Sequence, residues 1–282
     1  MKRDGQLMTV APDKLVVVTE HRGAADSFQF AGPRRDGSGA GSLILNADDW
    51  GRDQENTDRT FECISRGSVS SVSAMMFMED SQRAADIARE KGIDAGLHLN
   101  FTTGFSASRV PNQLSNHQER IAKHLKQHRF STVLFHPGLI SSFEYVVAMQ
   151  REEFCRTYGT EPKRLDGHHH MHLCANVLLQ KLLPAGTVVR RNFSFQPGEK
   201  GFYNRAYRKI VDRILAKRHR LTDFFFSLPP LSPPSRLERM FSLATRFTVE
   251  VETHPVGPEE YRFLMGEEFL SLRGNIRIAP QS

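Results

Sequence analysis

Four of the chain's 12 histidines fall within five residues, at His168, His169, His170 and His172, directly after Asp166 and Gly167. Arg164-Leu165 before them reads as a strand running out into a loop. Alternate side chains of a strand share a face. Asp166, His168, His170 and His172 are therefore expected on one side and His169 on the other. Imidazoles and a carboxylate converging at a strand end suit a metal centre. The run is internal and flanked by patterned sequence, which sets it apart from an expression tag.

Three other strand-like stretches carry chemically able residues. The apolar stretch 42–47 ends in Asp48-Asp49, the stretch 95–100 carries His98, and the stretch 246–252 leads to Thr253-His254. Adjacent carboxylates leave the backbone in different directions, so one can bind a cation while the other takes a proton. Arg190 closes a further short strand, 187–190. It holds Asp48, faces a developing oxyanion, or is an ordinary surface arginine.

These residues need elements to position them. Strands at 42–47, 69–76 and 95–100 alternate with helices at 54–67 and 81–91, the pattern of parallel βαβ units. Further helices are expected near 115–129, 141–158, 175–183 and 259–272, and a last strand at 276–278. Functional groups at the C-terminal ends of parallel strands are the layout of a barrel active site. The expected fold is α/β, a distorted, TIM-barrel-like (β/α) barrel forming a single domain over residues 42–282. Residues 1–41 read as an extension, with a short strand at 15–19 and a glycine-rich linker from 32.

Composition narrows the function. The 282 residues are 39% hydrophobic and 25% charged, ordinary for a globular protein. The apolar runs are too short to span a bilayer. A net charge of +6 permits anionic partners, but no basic stripe interleaved with aromatics points to nucleic acid. The basic cluster from Arg205 to Arg220 has helical spacing and reads as a solvated helix face. Cys63, Cys155 and Cys174 lack CxxC spacing and read as free thiols in a reducing compartment, the cytoplasm. Oligomeric state stays open, a homodimer included.

Four segments together resemble one family: Asn46-Ala47-Asp48-Asp49-Trp50-Gly51, Gly96-Leu97-His98-Leu99-Asn100, Leu165 through His172, and Glu250-Val251-Glu252-Thr253-His254-Pro255. In order and spacing they resemble the YdjC-like carbohydrate deacetylases, which include chitooligosaccharide deacetylases and relatives linked to hopanoid biosynthesis. Trp50 stands where that family usually has Phe, and Gly167 where Ser is common; Trp50 is expected to alter the substrate rim. The resemblance implies metal-dependent hydrolysis of an N-acetyl or similar acyl group on a sugar, glycan or glycolipid. It implies Asp49, His98 and His168 as metal ligands, Asp48 as general base, and His254 as general acid or transition-state stabiliser.

The chemistry agrees with such roles. A divalent metal with open positions polarises an amide carbonyl and lowers the pKa of water. The resemblance implies magnesium. Ligand chemistry favours zinc, manganese or cobalt, because magnesium prefers oxygen shells. His170 is expected as an alternate ligand or substrate contact, and Asp166 as the group fixing a ligand histidine's tautomer. The loops at 101–118 and 193–204 are expected to line the pocket, with Phe101, Phe105, Phe193 and Phe195 stacking on sugar rings. A barrel phosphoesterase or amidohydrolase would share the ligands. A non-catalytic carbohydrate-binding protein would have no use for Asp48.

Overall fold

The computed structural model describes residues 41–128, 130–195 and 199–280. The expected 15–19 strand and nearly all of the expected extension lie outside them. Seven strands form one all-parallel sheet: β1 (Ser42–Trp50), β2 (Ser71–Ala74), β3 (Ala95–Leu99), β4 (Arg164–Gly167), β5 (Val188–Val189), β6 (Phe224–Ser227) and β7 (Thr248–Thr253). Their order is β5-β4-β3-β2-β1-β7-β6. The sheet curls until its edges approach. Val189 N donates to Arg220 O at 3.0 Å, and Ser194 N to Phe225 O at 2.8 Å. The result is a distorted α/β barrel flanked by α1 (Gln54–Arg66), α2 (Ser81–Lys91), α3 (Asn112–Gln127), α4 (Ile140–Tyr158), α5 (Ala175–Leu179), α6 (Phe202–Ala216), α7 (Pro234–Ala244), α8 (Pro258–Met265) and α9 (Glu267–Arg273).

The period of two along β1 and β7 separates an apolar outer layer from a polar interior. Leu43, Leu45 and Ala47 of β1, with Val249 and Val251 of β7, join the hydrophobic core. Asn46 and Glu250, at alternate positions, face the other way: Asn46 Nδ2 donates to Ser73 Oγ at 2.8 Å, and Glu250 accepts from Arg190 Nε at 2.7 Å. Burying a Leu or Val contributes about 1.5–3 kcal/mol, and that layer offsets the several kcal/mol each buried charge costs. Gly96 serves the interior by its lack of a side chain. A Cβ there would sit 2.7 Å from Nε of Arg164, whose guanidinium reaches Val72 O at 2.5 Å and Asp94 at 3.2 Å.

Helix ends follow local chemistry. Asp53 caps α1 by accepting from Asn56 N, and Gly67 ends it at φ 78, the left-handed region that glycine enters freely. Other expectations need correction. The helix expected over 259–272 is two, α8 and α9, separated at Gly266, whose extended backbone interrupts the helical run. The last strand reduces to one bridge, Leu43 with Ile278. The helix expected to 183 stops at Leu179. β6 and α7 were not expected at all. Trp50 is fully buried in the core, not at a rim, and Phe101 packs 5.3 Å from Phe143 there.

Candidate active site

The strand C-termini bring together Asp48, Asp49, His98, Asp166, His168 and Arg190, each 5% exposed or less. β1 divides its two aspartates by geometry. Its register with β2 slips between Ala47 and Trp50, and Asp49 sits at φ 61, an uncommon conformation for a residue with a Cβ. The bend sends the carboxylates apart. Asp48 takes two hydrogen bonds from Arg190, Nη1 to Oδ2 and Nη2 to Oδ1, both 2.7 Å, and one from Asn46 Nδ2 at 2.8 Å. Asp49 accepts from Arg52 through Oδ2 at 2.9 Å and turns Oδ1 toward two imidazoles.

Those imidazoles are His98, whose Nε2 is 3.4 Å from Asp49 Oδ1, and His168, whose Nδ1 is 2.9 Å from it. Oδ1 is buried yet has no hydrogen-bond partner among the described residues. His98 and Asp166 are register neighbours on β3 and β4, with Nδ1 to Oδ1 at 2.8 Å. A carboxylate only accepts, so Nδ1 carries the proton that faces Asp166, and Nε2 is the nitrogen turned toward Asp49, the one a cation would replace a proton on. Asp166 Oδ2 in turn takes Ser73 Oγ at 2.5 Å and Arg190 Nη2 at 2.9 Å.

The donor set fits a divalent metal. Three donor atoms from β1, β3 and the turn after β4 lie within 4.8 Å of one another. Tetrahedral bonds of about 2.0–2.1 Å space ligand atoms about 3.3 Å apart, close to the 2.9 and 3.4 Å found. Electrostatics agree. Burial pushes the His98 imidazole down, but the Asp48 and Asp166 carboxylates outweigh it and raise it to about 10. The cluster therefore attracts positive charge. A second triad, Asp48, His98 and Asp166, is also close enough for a metal, but its carboxylates already accept hydrogen bonds from the Arg190 guanidinium at 2.7–2.9 Å. Burial raises Asp48, and Arg190 and His98 more than reverse it, holding the carboxyl below its ordinary value.

The histidine run does not alternate as a strand. β4 ends at Gly167, and 168–173 form a 3-10 turn with His169 at φ 54 and His170 at φ 57. Two left-handed residues in succession redirect each ring. His168 faces Asp49. His169 packs on His168 at 3.9 Å between ring centroids and bonds Thr102 at 3.0 Å. His170 lies 3.5 Å from Glu252 and edge-on to Phe193 at 4.6 Å. His172 is buried and donates to the Arg190 carbonyl at 3.0 Å. Burial, with Arg190 adding to it, lowers His170 to about 3, so it stays neutral.

Arg190 is no surface residue: it is 1% exposed and also donates to Glu250. His254, one residue beyond β7, is half-buried, and its ring makes no hydrogen bond among the described residues; its backbone N–H donates to Glu260 at 2.9 Å. Of the loop aromatics, Phe193 stacks on Phe225 at 4.6 Å beside His170, and Phe105 packs on Phe77 at 5.5 Å. The sequence reading missed Asn46, Ser73, Glu250 and Glu252. Burial and the neighbouring Asp48 charge hold Glu252 well above the usual carboxylate range. A signal existed: Glu250 and Glu252 alternate with two valines in a strand whose outer face must be apolar.

The fold and the strand-end cluster together define a distorted α/β barrel with a carboxylate–imidazole centre in its mouth. Residues 42–271 match the family described as YdjC-like protein, and the chain belongs to that family. Its relatives include a chitooligosaccharide deacetylase of Serratia marcescens, 31% identical over 134 residues, 46% of this chain and 50% of that one. Another from Proteus mirabilis is 29% identical over 150 residues, covering 50% and 57%. The chain spans about half the length of these curated relatives. A solved structure from Enterococcus faecalis V583, described as a candidate cellobiose-phosphate cleavage protein, covers 86% of this chain and 97% of that one. Its TM-score is 0.59 at 17% identity, a likeness of fold.

Proposed function

We propose that this protein is a metal-dependent hydrolase that removes an acetyl or similar acyl group from an N-acetylated sugar or glycan. The observation that carries the proposal is the division of labour between Asp48, locked to Arg190, and Asp49, turned to His98 and His168. Asp49, His98 and His168 would hold one divalent ion; two imidazoles favour zinc, manganese or cobalt over magnesium. Bound there, the ion supplies polarisation of the acyl carbonyl and a lowered pKa for water.

The chain's own groups do the rest. Asp48 Oδ2 lies 4.0 Å from His98 Nε2, beside the ligand cluster, and accepts one hydrogen bond, from Arg190, which leaves it a second lone pair. Asp48 takes the proton of the attacking water as its oxygen bonds the acyl carbon. The C–N bond breaks, and His254 protonates the departing nitrogen. Arg190 keeps Asp48 ionised and aimed, and Asp166 orients His98. His170 and Phe193 supply substrate contacts. The names of the relatives support an N-acetylated sugar as substrate, and the unpaired thiols of Cys63, Cys155 and Cys174 support a cytoplasmic setting. The test is acetate release from a panel of N-acetylated sugars with and without a chelator. Chelator-insensitive release, or phosphate release from sugar phosphates instead, would contradict the proposal.

A further inference from the structure

The surface of α6 departs from the solvated charged face expected of it. Val211, Asp212 and Leu215 form its buried side, where Asp212 accepts from Arg191 at 2.8 Å and from Asn192 N at 3.0 Å. Tyr203, Tyr207, Ile210 and Ile214 recur at i, i+4, i+7 and i+11, a single stripe along the helix. They are 89%, 41%, 55% and 45% exposed, and Phe202 at the helix start is 72% exposed. Lys209, Arg213 and Lys217 are exposed along one flank of that stripe. Asp212 is the only carboxylate in the helix, and it is turned inward.

A helix in water does not gain by exposing a continuous aromatic and isoleucine stripe. A second copy would cover the stripe, but it would set Lys209, Arg213 and Lys217 against their equivalents with no carboxylate of α6 to answer them. An anionic lipid surface accepts both features. Aromatic and aliphatic side chains enter the boundary between headgroups and acyl chains, and the flanking cations meet lipid phosphates. We propose that α6 docks this protein onto an anionic membrane surface as an interfacial helix. No helix among the described residues is long and apolar enough to cross a membrane, so the attachment is peripheral. The helix also adjoins the candidate site. Arg208 stands 5.0 Å over Phe195, which is 6.2 Å from Phe193 beside His170.

Co-sedimentation of the full chain with vesicles tests this without reference to catalysis. The protein should partition onto phosphatidylcholine vesicles containing phosphatidylglycerol, less so as salt rises, and not onto phosphatidylcholine alone. The variants Tyr203→Ser/Ile210→Ser/Ile214→Ser and Lys209→Glu/Arg213→Glu/Lys217→Glu should each lower partitioning at least about tenfold while keeping the wild-type thermal midpoint. Absence of wild-type binding to the anionic vesicles would overturn the proposal, as would variants that bind like wild type. A solution dimer that the serine variant dissociates would assign the stripe to a second copy and overturn it equally.

Discussion

Arg190 and Asp48 meet across the barrel mouth through two parallel hydrogen bonds of 2.7 Å, although they come from strands on opposite arms of the sheet. The same guanidinium reaches Asp166 at 2.9 Å and Glu250 at 2.7 Å. One cation thus links carboxylates from β1, β4 and β7 and ties the curled sheet together.

Arg190→Met should therefore be severely destabilising. Removing one partner from a buried ion network costs about 3–5 kcal/mol, because the remaining charges lose their counter-ion. For a domain of this size that lowers the thermal midpoint by roughly 6–20 °C. Differential scanning calorimetry checks it; a midpoint within two or so degrees of wild type would show that Arg190 is not the keystone. Arg190→Lys keeps the charge but not the paired fork and should fall between the two.

Asp166→Asn tests the orientation of His98. The amide can still accept at Nδ1, but it no longer supports the ring with a full charge. Metal affinity should fall by about 10–100-fold, the usual cost of losing a carboxylate behind a ligand histidine. Isothermal titration with zinc or cobalt measures it. An unchanged dissociation constant would mean that His98 needs no such support.

His98→Ala and His168→Ala each remove one imidazole from the cluster facing Asp49 Oδ1. Both should abolish metal retention while the barrel still folds. In the wild type, stripping the metal should lower the thermal midpoint, since a ligand at 100 times its Kd stabilises by about 2.7 kcal/mol. Elemental analysis paired with a thermal melt decides it. Full metal content in either variant would remove that histidine from the ligand set.

Much of this arrangement was legible because β-strands announce themselves by period and end in polar residues. Asp48, Asp49, His98 and Asp166 each stand in or at the end of a strand, and that placement alone brought them to one end of a barrel. The directions of His169, His170 and His172 were not legible. Two left-handed φ values turn the chain after Gly167, and no histidine signals that conformation in advance. Arg190 was ambiguous because its burial depends on the far arm of the sheet curling to meet it. β6 escaped notice because Phe224, Phe225 and Phe226 do not alternate. The Pro234 that opens α7 was a usable signal of a helix start.

Asp48 is expected to remove a proton while Asp49, not Asp48, binds the metal. One preparation of Asp48→Asn, assayed for metal content, sugar affinity and turnover, tests it directly. The substitution keeps the shape and removes the proton acceptor. Metal and sugar affinity should persist while acetate release falls by about 10²–10⁴-fold. Wild-type turnover would contradict the role of Asp48 as base, and joint loss of metal and activity would make Asp48 a ligand instead.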